Sequence, residues 1–456
     1  MSEEGLEQKY VKEAFDTNWV VPLGPNVNAF EKALEEFVGQ DKRVVALSAG
    51  TAAVHLALIA CGVGPGDEVC VQSFTFCASS HPITYLGATP VFIDSERETW
   101  NMDPELLEAA IVDRYAKTGR YPKAIVPVAL YGMPYRIDRI VAVADKYGIP
   151  VVEDAAEGFG SRFDGQVLGT FGKYGVLSFN GNKMITTSGG GALITPDASG
   201  WQQVMWLATQ ARDSYPYYQH SAIGYNYRMS NICAGIGRGQ MSVADAHIAH
   251  HKRVQALYEE LLAGVPGVKV HRQPFEVRTD ASDSRVYENG AAGQVGRFDS
   301  NYWLCTIELD PSLRIVGQDQ AYKEVIKTAV GGAAGVIHVV DSPVTDCQPN
   351  DNVEALRVFM LGKKVEARPV WKPMHRQPVY CTGAAETALA AGVAAGTATA
   401  PAAGISVWEG PRMSAYLNGV SEAVFKVGMC LPAGPCVSEE DVRYIVECIK
   451  EAIADN

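Results

Sequence analysis

The sequence predicts an α/β protein: a mostly parallel sheet sandwiched by helices over residues 1–248, then a smaller C-terminal α/β domain over 249–456. Three observations carry this expectation. Short apolar runs alternate with helical patterns from about residue 30 to 240, and that alternation implies right-handed crossovers between parallel strands. The texture changes near residue 250, where one long helical segment, Ala246–Leu262, leads into a second region. A chain of 456 residues, at roughly 100–200 residues per domain, favours two or three domains sharing a large core.

In order along the chain, Val44–Leu47, Glu68–Gln72, Thr89–Ile93, Ala124–Ala129, Pro150–Glu153, Tyr174–Ser178 and Gly191–Ile194 read as strands. Amphipathic segments such as Asp138–Tyr147 lie between several of them and read as helices. In the second region Arg297–Leu309 is strand-like, Val365–Arg368 is a short strand and Glu439–Ile453 is a closing helix. Two stretches there read as insertions without a strand period. Residues 273–297 are polar and contain Gly; residues 383–404 are low-complexity Ala, Gly and Thr. The first reads as a loop. The second is a loop or a helix, because Ala is the best helix former.

Composition excludes several classes. A hydrophobic fraction of 47% with 20% charged residues is that of an ordinary globular protein, not a disordered or collagen-like chain. The net charge of −13 argues against nonspecific nucleic-acid binding, which rests on many Lys and Arg contacts to phosphate. Val44–Gly66 is a run of 23 residues without a charge, long enough to span a bilayer. It contains Ser48, Gly50, Thr51, His55 and Pro65, so it reads as buried strand, turn and helix. The start of the chain carries Glu3, Glu4, Glu7 and Lys9 rather than a basic segment followed by an apolar run, so no secretory signal is expected. The ten Cys form no CxxC pair and no metal-ligand spacing. They read as buried free thiols of a cytoplasmic protein with no metal site and no membrane association.

Three strings carry chemistry. In Val44–Leu58 a buried strand runs through Ser48, Ala49, Gly50, Thr51 and Ala52 into a helix. Unpaired amides at a helix N-terminus suit a phosphate, and Gly50 allows close approach. A tight turn with Thr51 as N-cap explains the same string equally well. In Ile149–Glu157 an apolar strand ends in Glu153 and Asp154, which alternation sends to opposite sides. Ligands of open parallel sheets bind beyond the carboxyl ends of strands, so one acid faces a crevice, although Asp154 taken alone could cap a helix. In Gly175–Gly191, a window of 17 residues, Lys183 is the only charged residue. Small polar and Gly neighbours off the end of a strand suggest an amine held in a crevice, where partial desolvation favours a nucleophile.

Together, a phosphate turn, an acid at a strand end and a secluded lysine are what pyridoxal phosphate needs. The same segments resemble the DegT-type sugar-nucleotide aminotransferases, pyridoxal-phosphate enzymes of fold type I. The resemblance runs from Pro22-Leu23-Gly24 to Cys430-Leu431-Pro432-Ala433-Gly434. It is carried by Glu153-Asp154-Ala155-Ala156-Glu157, Ser178-Phe179-Asn180-Gly181-Asn182-Lys183, Gly224-Tyr225-Asn226-Tyr227-Arg228 and Arg368-Pro369-Val370-Trp371-Lys372-Pro373-Met374-His375. Thr186-Thr187-Ser188-Gly189-Gly190-Gly191 departs from the Gly-Glu-Gly-Gly of many members and is similar to the branch of 4-aminotransferases that serves UDP-N-acetylbacillosamine synthesis.

The resemblance implies Lys183 as the Schiff-base lysine and Asp154 as partner of the pyridine nitrogen, with Glu157 beside the ring or its hydroxyl. It implies Phe76 stacked on the ring, and Gly50, Thr51, Ala52 and Ser178 on the phosphate. Asn226 would reach the phosphate from the other subunit of a homodimer. Asn180, Arg228 and His375 would face the sugar nucleotide, and His375 could equally be a packed loop residue. The implied reaction is transamination of a UDP-linked 4-keto-6-deoxy-N-acetylhexosamine with glutamate as donor. Lys183 argues against the family's dehydratases, in which His replaces that lysine. A different keto-sugar nucleotide, dTDP-linked or 3-keto, is the alternative substrate, and a non-catalytic pyridoxal-phosphate-binding regulator is the alternative role. A nicotinamide oxidoreductase is disfavoured because no GxGxxG follows the first strand.

Overall fold

The computed structural model describes residues 1–278, 296–320, 347–388 and 405–453. Two N-terminal helices, α1 (Leu6–Asp16) and α2 (Pro25–Val38), precede β1 (Arg43–Leu47) and α3 (Gly50–Ala60). Then come β2 (Glu68–Gln72), β3 (Thr89–Ile93), β4 (Ala124–Val126) and β5 (Val152–Asp154). A short hairpin, β6 (Arg162–Phe163) and β7 (Gln166–Val167), separates these from β8 (Tyr174–Ser178) and β9 (Gly191–Thr195). The predicted strands and the helix Ile137–Tyr147 stand close to where the apolar runs and the amphipathic period placed them, except that β4 ends at Val126 rather than Ala129 and β5 covers Val152–Asp154 rather than Pro150–Glu153.

Strands β2, β3 and β4 pair in parallel, as do β5 and β8. Parallel bridges Ile125–Val151 and Val128–Asp154 stitch β4 to β5, so the strands form one continuous surface. At its far side β9 runs antiparallel between β8 and β1. Nearly every strand residue here is buried, because helices cover both faces. The carboxyl ends of β2, β4, β5 and β8 converge on one crevice, where the site lies.

The later chain adds β10 (Val268–Val270), β11 (Phe298–Asp299), β12 (Cys305–Leu309), β13 (Arg368–Pro369), β14 (Ala385–Ala388), β15 (Ser406–Gly410), β16 (Met413–Leu417) and β17 (Gly428–Leu431). Strands β10, β12, β17 and β13 form an antiparallel sheet. Side chains from helices Ala244–Leu261, Asp351–Gly362 and Glu439–Ile453 complete its core, with Tyr258, Leu356 and Ile449 fully buried.

Three expectations are corrected. The run Arg297–Leu309 is not one strand: it breaks between β11 and β12, where Asn301 donates to the carbonyls of Glu157 and Phe159 at 2.8 and 2.9 Å. The chain after 249 is not all in the smaller unit, because β16 pairs in parallel with β3 and extends the large sheet. Its start at 383–404 is not simply a loop or a helix, since Ala385–Ala388 pairs antiparallel with Ser406–Gly410. Most of both predicted insertions, 279–295 and 389–404, lies outside the described residues. Among the described residues no helix is long and apolar enough to cross a membrane.

Candidate active site

The crevice is a cavity of about 340 Å³ whose lining includes Gly50, Thr51, Phe76, Asp154, Glu157, Ser178, Asn180 and Lys183. The sequence predicts all eight, and they come from four separate segments of the chain.

Strand alternation sorts the two acids at the end of β5. Glu153 turns away and accepts the amides of Gly169, Phe171 and Gly172 at 3.0, 2.6 and 2.5 Å, so it fixes that loop. Asp154 faces the cavity, where Oδ2 accepts the Ser79 hydroxyl at 2.6 Å and Oδ1 accepts the Ala156 amide at 3.1 Å. No helix follows it directly, so the cap reading of Asp154 does not apply. Burial raises its pKa; Ser79, the Ala156 amide and the Lys183 charge pull the other way.

Lys183 leaves the loop after β8 and brings Nζ to 3.2 Å from Glu157 Oε1 and 4.0 Å from the centre of the Trp303 ring. Glu157 is buried, and its Oε2 accepts the Tyr131 amide at 2.7 Å. Burial raises the Glu157 pKa, opposed by Lys183 and the Tyr131 amide. Two buried carboxylates thus share one ammonium. A second positive charge beside Asp154 would balance the cavity, since buried charges need partners.

At the opposite wall α3 opens at Gly50, with Ala49 as N-cap and no side chain capping its first turn. Thr51 is therefore inside the helix and is not its cap. A Cβ on Gly50 would come within 3.1 Å of Ser178 Cβ, and one on Gly191 would fall 2.4 Å from the Gly50 nitrogen. The glycines keep this corner open, with uncapped amides and two hydroxyls, Thr51 and Ser178, around it. That arrangement fits a phosphate group.

Anionic end, acid and amine together fit pyridoxal phosphate. Gly50, Thr51 and Ser178 would hold its phosphate, Asp154 its ring nitrogen and Lys183 its carbonyl carbon. Phe76 is 53% exposed at the cavity mouth, with its ring 5.4 Å from Trp371. Asn180 is exposed at the rim and donates to Asn182 at 3.4 Å.

Four predicted residues stand elsewhere. Ala52 is buried within α3 and does not line the cavity. Arg228 does not line the cavity: its side chain is 8% exposed, ion-paired to Glu31 of α2 and donating to the Ala46 carbonyl at 3.0 Å. His375 is fully buried, with Nδ1 2.6 Å from Ser73 Oγ and Nε2 3.0 Å from Glu422, so it packs and does not face the cavity. Asn226 is exposed, away from its own cavity, and its Oδ1 accepts from Gln210 at 3.3 Å.

The structure also adds residues the sequence reading missed. Ser79 and Thr75 lie beneath Asp154, Trp303 lies under Lys183, and Trp371 forms the mouth with Phe76. Trp371 stood inside a string already singled out, whereas Trp303 was hidden in a segment read as continuous strand.

Comparison with known proteins agrees with this geometry. The DegT/DnrJ/EryC1/StrS aminotransferase family matches residues 2–287. The chain is 38% identical over 445 residues to the pyridoxal phosphate-dependent aminotransferase EpsN of Bacillus subtilis (strain 168), covering 98% of this chain and 92% of that one. It is 30% identical over 451 residues to a GDP-perosamine synthase of Escherichia coli O157:H7, covering 99% and 96%. It is 36% identical over 280 residues to UDP-2-acetamido-2-deoxy-3-oxo-D-glucuronate aminotransferase of Pseudomonas aeruginosa, covering 59% and 75%. Among solved structures, a DegT DnrJ EryC1 StrS aminotransferase from Brucella abortus superposes with a TM-score of 0.72 at 25% identity, covering 99% and 96%. The paired acid and lysine at the strand ends are thus set in a shared framework: the chain belongs to the DegT/DnrJ/EryC1/StrS aminotransferase family and is a pyridoxal-phosphate-dependent enzyme.

Proposed function

We propose that this aminotransferase, which acts on sugar nucleotides, transfers the amino group of glutamate to a UDP-linked 4-keto-6-deoxy-N-acetylhexosamine. The observation that carries the transamination is the Lys183 amine, 3.2 Å from Glu157 in the cavity that Asp154 also lines. Support for the 4-keto sugar comes from Ser188-Gly189-Gly190-Gly191, similar to the bacillosamine branch, and support for a UDP-linked acetamido sugar from the relative whose name specifies one, in that case a 3-oxo sugar.

When bound, pyridoxal phosphate supplies a carbonyl carbon for amine exchange and a ring that draws electron density from the donor's α-carbon. The chain supplies the rest. Asp154 keeps a proton on the ring nitrogen. The Lys183 amine takes the proton from the glutamate α-carbon and later returns one to the sugar carbon, acting as general base and then acid. Glu157 holds that amine in place between the two half-reactions. Thr51, Ser178 and the first-turn amides of α3 fix the phosphate, and Phe76 and Trp371 wall the entrance against water.

The working unit of this reading is a homodimer. Asn226 is exposed and outside its own cavity, as required of a residue that serves the partner's phosphate site.

The relative named GDP-perosamine synthase favours a second reading, a GDP-linked keto-sugar. Turnover of UDP-, GDP- and dTDP-linked keto-sugars with glutamate separates the two. The proposal expects the UDP-linked 4-keto substrate to have the highest kcat/KM, and a product with its new amine on C4 by NMR. Preference for the GDP-linked substrate would overturn it.

A further inference from the structure

The turn after β4 holds Tyr131 with φ 55° and ψ 18°, a left-handed conformation rare for a residue with a side chain. Tyr131 is also buried among its neighbours. Such a conformation persists only where the surroundings over-determine it, and it clusters at functional sites.

Its amide and its hydroxyl each end on an element of the active site. Its amide donates to Glu157 Oε2 at 2.7 Å, while Oε1 of the same carboxylate meets Lys183 at 3.2 Å. Its hydroxyl accepts the Trp371 amide at 2.9 Å, and the two rings lie 5.0 Å apart. The left-handed turn is what lets one residue point its amide at the Glu157 carboxylate and its hydroxyl at the cavity mouth.

We propose that Tyr131 is a positioning residue that couples the Lys183–Glu157 pair to the Trp371 loop. The cavity mouth at Trp371 and the carboxylate that holds the Lys183 amine are then fixed by one side chain and its own amide. A displacement at either end is felt at the other through Tyr131.

The first test needs neither cofactor nor substrate, and so does not depend on which sugar is used. Hydrogen exchange of the Trp371 amide is followed in the cofactor-free protein by fragmentation mass spectrometry. Tyr131→Phe removes the acceptor and should speed that exchange about tenfold, the scale of one lost hydrogen bond. Glu157→Ala, which removes the other anchor, should also speed it, with exchange in β12 unchanged as the control for global loosening. Wild-type exchange at Trp371 in Glu157→Ala would overturn the coupling. Should Glu157→Ala fail to fold, Glu157→Leu, which likewise offers the Tyr131 amide no acceptor, carries the same expectation and the same contrary result.

The second test rests on the proposed reaction. In Tyr131→Phe the glutamate half-reaction should fall by a smaller factor than the keto-sugar half-reaction, because the amide contact to Glu157 is kept. The KM for the keto-sugar should rise about tenfold. Equal losses in both half-reactions, with a lowered Tm, would show a merely structural role.

Discussion

The Ser79 hydroxyl donates to Asp154 Oδ2 at 2.6 Å inside the cavity, and the Thr75 hydroxyl lies 2.8 Å behind it. The acid that would face the cofactor's ring nitrogen is thereby fixed from the far side by a short chain of hydroxyls. Ser79→Ala should weaken pyridoxal phosphate binding about 10- to 100-fold, the range for a hydrogen bond to a charged group. Fluorescence titration of the cofactor-free protein checks this. An unchanged Kd would mean that Asp154 needs no such support.

Asp154 also governs a pH dependence. Burial raises its pKa above the ordinary 3.8, despite Ser79, the Ala156 amide and Lys183. The folded protein therefore binds this proton more tightly than the unfolded chain does. Its contribution is present below pH 3.8 and is lost as pH rises through the raised value. Asp154→Asn removes that loss. The cofactor-free variant should melt at or above the wild-type temperature at neutral pH, with the gap closing under acid, while turnover falls at least about 100-fold. A variant less stable at neutral pH and equal under acid would reverse the sign of the argument.

Arg228 and Glu31 form a buried ion pair, with side chains 8% and 10% exposed. Arg228→Ala leaves the Glu31 carboxylate short of a partner, although the Ala46 amide still donates to it at 2.7 Å. The variant should lose about 3 kcal/mol of stability in urea unfolding. Its folded fraction should keep the wild-type KM for the sugar nucleotide. A raised KM with unchanged stability would return Arg228 to the substrate site.

Asn226 provides the test of a shared site. Lys183→Ala and Asn226→Asp should each be inactive, the second because a carboxylate repels phosphate at close range. Mixed dimers place both defects in one site and neither in the other. Random subunit exchange should then restore activity up to about a quarter of wild type. No recovery, with exchange confirmed by native mass spectrometry, would show that Asn226 acts within its own chain or not at all.

What the sequence showed and what it hid follow from the range of the interactions. Glu68–Gln72, Thr89–Ile93, Tyr174–Ser178 and Glu439–Ile453 have the predicted bounds, because their patterns are local. Asp154 and Lys183 were legible as charged groups at the ends of apolar strands. The break before Trp303 was not, since it depends on Asn301 reaching carbonyls of Glu157 and Phe159, far away in the chain. Arg228 and His375 looked available because their partners, Glu31 and the Ser73 and Glu422 side chains, are equally distant. Nothing near Tyr131 in sequence announces that its amide and hydroxyl serve Glu157 and Trp371.

Every role proposed for the cavity depends on Lys183 being the amine joined to the cofactor. Borohydride reduction of the holoenzyme, followed by proteolysis and mass spectrometry, tests it most directly. The reduced cofactor's mass is expected on the peptide containing Lys183, and on none after Lys183→Ala. Label on another lysine, or a wild-type holoenzyme that carries none, would contradict it.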